Sequence, residues 1–263
     1  MIDYHVHTSL CNHAEGEMEA YVQKAVDAGL KEICFLDHLT LSEAGRALSM
    51  TPVYFQAVCD LKQRYQSLIH VKAGLEIDFD LEYIDRIQDI VGRYSFDVIG
   101  SSVHFVNDFN IVSRKSAWKL EKVSTDFLYE QYLKHLERML DFSYFDFICH
   151  LDLVKKFGRQ PPRSFDKKFD EILSKIRYKN LAVEFNTSGY DHPVKEAYPS
   201  LRLLKKCSSL GIPITLGSDA HKPESVGRYY DRAFSMLCTA GCRYLAVFTK
   251  RKRHAVPIKI EDH

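Results

Sequence analysis

Short apolar, β-rich runs alternate with longer stretches of helical period along nearly the whole chain, and this alternation constrains the fold more than any other feature. Strands are predicted at residues 1–6, 32–36, 70–75, 96–101, 145–149, 181–185, 213–217 and 244–248. Helices are predicted at 15–28, 51–67, 80–93, 125–140, 165–177, 199–210 and 224–240. Thr51-Pro52 offers an N-cap followed by a proline at the first helical position, while Gly29, Gly211 and Gly241 stand where three helices should stop. Strand-then-helix repetition implies parallel strands joined by crossover helices. About seven such units in 263 residues fit a TIM-like (β/α)7 barrel better than an open doubly wound sheet. Neither a linker nor a composition shift divides the chain, so residues 1–263 read as a single domain. The first strand is followed by no glycine-rich phosphate loop.

Charge and apolar patterning narrow the function. Lys and Arg total 36 against 35 Asp and Glu, a net charge of +1 that argues against bulk attraction to nucleic acid or to a membrane surface. No apolar run is long enough to span a bilayer, and Asp3 with two early histidines is unlike a signal peptide. The seven cysteines (Cys11, Cys34, Cys59, Cys149, Cys207, Cys238, Cys242) are scattered without a Cys-x-x-Cys pair, which suggests reduced thiols and a cytoplasmic location. The basic run 250–253 reads as a solvated edge.

Histidine placement carries most of the functional signal. Of 12 histidines, seven fall at or just beyond the C-terminal ends of predicted strands: His5 and His7, His13, His38, His104, His150 and His221. Carboxylates fall beside them at Asp37, Glu76, Asp78, Asp152 and Asp219. All strand ends of a parallel barrel open onto one face, where active sites sit. A lone histidine at a strand end is more often a satisfied polar residue than a ligand. His-x-His in a strand, however, turns both rings to one side, and seven crowded imidazoles are costly unless a shared ion takes their lone pairs. His70, His135, His254 and His263 lie away from that face and read as structural or surface residues, whereas His192 lies on it as a substrate-contact candidate. Asn186-Thr187-Ser188 matches a glycosylation sequon that is empty in a cytoplasmic chain.

Imidazole and carboxylate ligands without thiolate suit Zn, Mn or Fe(II). Nine of these as ligands already exceed what one catalytic ion takes from protein, so two or three metals are expected, with Glu76 suited to bridging. Metals in such a cluster lower the pKa of a shared water and grip both oxygens of an in-line displacement. Metal-assisted hydrolysis of a phosphate ester is the predicted chemistry.

His5-Val-His7-Thr8, Asp37-His38, Gly74-Leu-Glu76, Ser102-Val-His104, His150-Leu-Asp152 and Gly217-Ser-Asp219-Ala-His221 together resemble the signature motifs of the polymerase-and-histidinol-phosphatase (PHP) superfamily. The resemblance implies a distorted (β/α)7 barrel with three divalent metal ions. It assigns His5, His7, Glu76 and Asp219 to the first ion, Glu76, His104 and His150 to the second, and His13, His38 and His221 to the third. Gly74-Leu-Glu76-Ile-Asp78, Glu184-Phe-Asn186-Thr-Ser188-Gly189 and Tyr198-Pro199-Ser200 resemble the stand-alone histidinol-phosphatase branch. That branch cleaves L-histidinol phosphate to L-histidinol and phosphate in histidine biosynthesis, which here implies a hydroxide on metals held by Glu76 and Asp219.

Arg159 matches the family's phosphate-side arginine. The expected second arginine after Asn186-Thr-Ser-Gly189 is missing, which leaves Lys195 or His192 to substitute and Asp191 to meet the substrate's ammonium. Asp37 is expected to orient a ligand imidazole. Alternatives are a PHP hydrolase for another ester, such as a nucleotide or phosphotyrosyl peptide, and a non-catalytic metal-dependent binding module. Metal-dependent turnover separates them.

Overall fold

Seven parallel strands form a nearly closed barrel with helices around it. The computed structural model describes all residues except 12, 42–45, 108, 117–120 and 259–263, and omits the side chains of 46–50 and 116; His263 therefore lies outside the described residues. In chain order the elements are β1 (Ile2–Val6), α1 (Met18–Asp27), β2 (Glu32–Leu39), α2 (Arg46–Arg64), β3 (His70–Asp78), α3 (Ile84–Arg93), β4 (Val98–Ser102), β5 (Phe105–Val106) and β6 (Phe109–Asn110). They continue with α4 (Thr125–Met139), β7 (Phe147–Ile148), α5 (Asp166–Tyr178), β8 (Ala182–Asn186), α6 (Leu201–Ser209), β9 (Ile214–Gly217), α7 (Tyr230–Thr239), β10 (Tyr244–Thr249) and β11 (Lys252–Pro257). The sheet runs β1-β2-β3-β4-β7-β8-β9, and every pairing in it is parallel.

Parallel strands covered by helices are buried on both faces, so their sequences run apolar almost without interruption. β1, β4, β8 and β9 are buried throughout, and β3 is buried beyond its first residue, His70. Helices add one apolar face each, such as Tyr54, Val58 and Leu61 of α2, Ile87 and Ile90 of α3, and Phe169, Ile172 and Ile176 of α5. The stop at Gly29 is a left-handed cap with φ 69°, in which the Leu30 N–H reaches back to the Ala25 carbonyl at 2.9 Å. The same bond pattern recurs after α6 at Gly211 and after α7 at Gly241.

Two predicted boundaries move. The second helix begins at Arg46, with Pro52 inside it rather than at its start. Proline removes one helical donor, but Tyr54 of the same helix packs inward and donates to the Phe35 and Gly74 carbonyls at 2.8 and 2.7 Å, fixing the helix on the sheet. The eighth predicted strand, β10, does not join the barrel. It pairs antiparallel with β11 and caps the N-terminal end of the barrel. Barrel closure comes instead from a parallel bridge between Val6 and Ala220, in which His7 N–H donates to the Ala220 carbonyl at 2.9 Å and Ala220 N–H to His5 at 3.2 Å.

That hairpin also corrects the reading of 250–253 as a solvated edge. Lys250 N–H donates to Asp97 at 3.3 Å, Arg251 donates to the Asp146 carboxylate and to the Tyr144 carbonyl at 2.8 Å, and Arg253 donates to Asn180. The phenol of Tyr4 on β1 accepts from Phe248 N–H at 2.8 Å. Among the described residues no helix is long and apolar enough to cross a membrane.

Arg251→Ala leaves the buried side of Asp146 short of a charged donor, a loss of about 1–3 kcal/mol. Calorimetric unfolding should then show a midpoint lowered by roughly 2–10 °C. An unchanged midpoint would mean that the hairpin decorates the barrel without bracing it.

Candidate metal centre

Barrel closure and ligand presentation are the same piece of backbone. The bridge joins Val6 to Ala220, and the residues on either side of each, His5 and His7, Asp219 and His221, turn their side chains into one cluster. In the sheet, His38 and Gly100 are the register partners of Glu76 on either side, so Glu76 stands at the centre of the mouth. Gly100 and Cys149 lie beneath, and a Cβ at 100 would overlap the Cys149 sulfur.

The Glu76 carboxylate is buried and divides the imidazoles between its two oxygens. Oε1 lies 2.8 Å from His150 Nε2 and 3.4 Å from His104 Nε2. Oε2 lies 3.0 Å from His38 Nδ1, 3.2 Å from His5 Nε2 and 3.6 Å from His7 Nε2. Asp219 Oδ1 approaches His7 Nε2 at 3.2 Å and His5 Nε2 at 3.9 Å. The His13 ring centre lies 5.0 Å from that of His38 and 4.7 Å from that of His221, completing an outer group. All seven predicted histidines therefore meet, together with Glu76 and Asp219.

The donor set fits divalent metal. His5 Nε2 faces His7 Nε2 at 3.0 Å, and His104 Nε2 faces His150 Nε2 at 3.3 Å. Such pairs of ring nitrogens point at one another and at shared carboxylate oxygens, so a cation between them satisfies more lone pairs than single protons can. Donor atoms within reach of one ion include those of His5, His7 and Asp219, of His5, Glu76 and His150, and of His7, His38 and His221.

Electrostatics in the cluster oppose burial. Burial alone pushes the Glu76 carboxyl up, but the imidazoles of His38, His104 and His5 hold it well below the usual carboxylate range. Asp219 is likewise held low against its burial by His5, His7 and His221. His7 is held well below the usual imidazole range by burial and by the rings of His221 and His38, and burial takes His221 down to about 4. Neutral rings are the form that binds metal.

Supporting groups hold the cluster from behind. Glu184 is fully buried, with Oε1 2.7 Å from His5 Nδ1 and Oε2 accepting from His150 N–H at 2.8 Å. Asp78 Oδ1 lies 2.7 Å from His104 Nδ1. A Cβ on Gly217 would collide with the Glu184 carboxylate, so glycine there is a condition of Glu184 reaching His5. His150 and Asp219 both adopt left-handed backbone, at φ 25° and 54°, where non-glycine residues are uncommon. Arg228 secures the second by donating to the Ser218 and Asp219 carbonyls at 2.9 and 3.0 Å.

Other predicted contacts fall differently. Asp37 accepts from the Thr8 backbone and hydroxyl, and burial raises it to about 6; its closest imidazole nitrogen, His7 Nδ1, is 3.9 Å away. The orienting carboxylates are Glu184 and Asp78 instead. Asp152 turns away to Lys155 at 3.0 Å and to Ser200 N–H at 3.0 Å. Arg159 donates to the Val123 carbonyl and does not line the cavity over the cluster. Lys195 is exposed and also outside it, and Asp191 pairs with Arg228 at 2.7 Å. His192 does line it, and burial, with Lys156 nearby, lowers its pKa to about 4. Asn186 is fully buried and donates to Glu184 at 3.1 Å, so the sequon is a structural element. His70 and His254 are exposed, and His135 bonds the Gln131 carbonyl at 2.8 Å. Among the described residues all seven cysteines are free thiols, four of them buried.

The cavity over the cluster holds about 660 Å³ and is lined by the cluster residues other than the deeper His5 and His7, together with Leu10, Tyr54, Phe105, Lys115, Leu153 and Lys156. Sequence reasoning does not single out Lys156, Glu184 or Arg228: Lys156 sits beside a second lysine with nothing to distinguish it, and Glu184 falls mid-strand within a motif.

The PHP domain family matches residues 3–188, and a family described as PHP-associated matches 203–232. A probable histidinol-phosphatase of Deinococcus radiodurans is 33% identical, covering 96% of this chain and 98% of its own. The histidinol-phosphatase of Lactococcus lactis is 29% identical, covering 95% of each chain. A crystal structure of histidinol phosphate phosphatase from Lactococcus lactis, complexed with zinc, L-histidinol and phosphate, superposes with a TM-score of 0.82 at 27% identity, covering 96% of this chain and 98% of that one.

Glu184→Gln should weaken zinc binding about 10- to 100-fold, as loss of a partner behind a ligand imidazole typically does. Competition against a chromophoric chelator reads this directly, and wild-type affinity would remove Glu184 from the role of orienting His5.

Proposed function

The chain belongs to the PHP domain family, and from that premise we propose that it is a metal-dependent phosphomonoesterase converting L-histidinol phosphate to L-histidinol and phosphate, a step of histidine biosynthesis. The observation that carries the reading is the convergence of seven imidazoles on the Glu76 and Asp219 carboxylates at the floor of a cavity of about 660 Å³. Support comes from the Lactococcus lactis structure, whose barrel superposes on this one and holds zinc, L-histidinol and phosphate.

His5, His7, Glu76 and Asp219 would hold one ion, Glu76, His104 and His150 a second, and His13, His38 and His221 a third. Zinc, manganese or ferrous iron all suit this donor set. When bound, such ions supply Lewis acidity, lower the pKa of coordinated water and neutralise charge on a phosphoryl group.

The chain's own contribution is to fix the donors and shape the cavity. Glu76, with one oxygen toward His104 and His150 and the other toward His5, His7 and His38, is placed to serve two ions at once. Ser188 and Asn186 donate to Asp219 Oδ2 at 3.1 and 3.4 Å and hold its other oxygen toward His7. The walls at Leu10, Tyr54, Phe105 and Leu153 are apolar or aromatic and limit water around a bound ester. Residues 1–263 would act as one domain, since β9 within the second half closes against β1. A cytoplasmic location accords with free thiols and a small phosphorylated metabolite.

Phosphate release from histidinol phosphate, set beside a nucleotide monophosphate and a phosphotyrosyl peptide, tests the assignment. Histidinol phosphate should be the preferred ester by kcat/KM. Chelation should remove activity and zinc or manganese restore it, and Glu76→Ala should abolish it in a folded protein. Preference for another ester would reassign the substrate, and full turnover by folded, metal-free Glu76→Ala would refute the metal mechanism.

A further inference from the structure

The phosphoryl group needs a cation beyond the metals, and the two cationic side chains that the sequence nominated for it are committed or remote: Arg159 is held by the Val123 carbonyl, and Lys195 is exposed outside the cavity. Arg228, which the sequence did not nominate, is held by Asp191 and two backbone carbonyls. Lys155 is fully buried among Asp152, Glu196 and the Ala197 carbonyl, with its ammonium 3.0, 2.8 and 2.9 Å from them.

Its neighbour Lys156 turns the other way. It is half-buried, lines the same cavity as Glu76, His150 and Asp219, and among the described residues makes no ion pair or side-chain hydrogen bond. Its backbone is fixed on both sides: its N–H donates to the Leu153 carbonyl at 2.9 Å, and its carbonyl accepts from Val194 N–H at 3.2 Å. That second bond ties the loop after β7 to the loop after β8 that carries His192. Burial lowers the Lys156 pKa, against the pull of Asp219, while Arg114 lowers it further. A partly desolvated ammonium without a counter-ion is costly, and the cost is recovered when an anion enters.

We infer that Lys156 is the side chain that binds the substrate's phosphoryl oxygens, in place of the arginine missing after Gly189. This rests on the phosphatase reading and supplies its anion-binding residue. Two adjacent lysines thereby divide their tasks: Lys155 braces the loop internally, and Lys156 faces the substrate. Lys115, also on the cavity lining, is exposed, which makes it the weaker partner.

The test uses zinc-loaded wild type, Lys156→Gln, Lys156→Ala and Lys156→Arg, with titration calorimetry of inorganic phosphate beside kcat and KM for histidinol phosphate. Both neutral variants should keep wild-type zinc content and bind phosphate about ten- to a hundredfold more weakly, the usual loss for a charge-assisted hydrogen bond. Their KM should rise, and Lys156→Arg should recover part of the phosphate affinity. Phosphate binding at wild-type strength in both neutral variants overturns the assignment, as does loss of zinc along with phosphate, which would mark Lys156 as a support of the cluster. Should wild type bind phosphate yet fail to hydrolyse histidinol phosphate, the substrate reading falls while the calorimetric comparison still decides on Lys156.

Discussion

A single buried carboxylate organises this molecule's working end. Glu76 is fully enclosed, a position where an isolated negative charge is prohibitively costly. It is tolerable because His5, His7, His38, His104 and His150 all converge on its two oxygens. The imidazoles in turn crowd one another and depend on a negative centre to sit so close. Each half of the arrangement offsets the cost of the other, and their donor atoms lie close enough together to hold metal.

The second consequence of that crowding is the amount of structure spent behind it. Glu184 serves two strands at once, holding the His5 ring and the His150 backbone, and Gly217 gives it room. Asp3, fully buried beneath, accepts from Ser218 and Gly227 and keeps the loop after β9 against β1. Two cluster residues in left-handed backbone, His150 and Asp219, are held there by the Glu184 carboxylate and the Arg228 guanidinium rather than by their own preference. Precision at the mouth is thus inherited from groups behind the cluster.

Much of this was legible from residue order. Alternation of apolar runs located all seven barrel strands, because strands buried on both faces leave an unbroken apolar signature. The strand-end position then singled out the seven histidines, with Glu76 and Asp219 among five carboxylates. What failed was long-range. The run at 244–248 looks like the other strands, and only its pairing with residues 252–257 shows that it belongs to a hairpin. Asp37, Asp152, Arg159 and Lys195 have the right type and the right loop, but their side chains are claimed by Thr8, Lys155 and Val123 or left in solvent, and such claims depend on rotamers that spacing does not encode. Lys155 and Lys156 are alike in sequence and differ only in the direction each side chain takes.

The bridge between Val6 and Ala220 also bears on how the molecule comes into being. The chain segments it joins are far apart in order; the Asp3 to Ser218 bond beside it spans 215 positions. Contacts so distant repay their loop-closure entropy only late in folding. A chain emerging from the ribosome as far as β8 already possesses Glu76, His104 and His150, yet lacks Asp219 and His221 and retains an open sheet edge. The complete cluster is therefore a property of the finished barrel, and a chain that stops short or closes wrongly lacks two of its members.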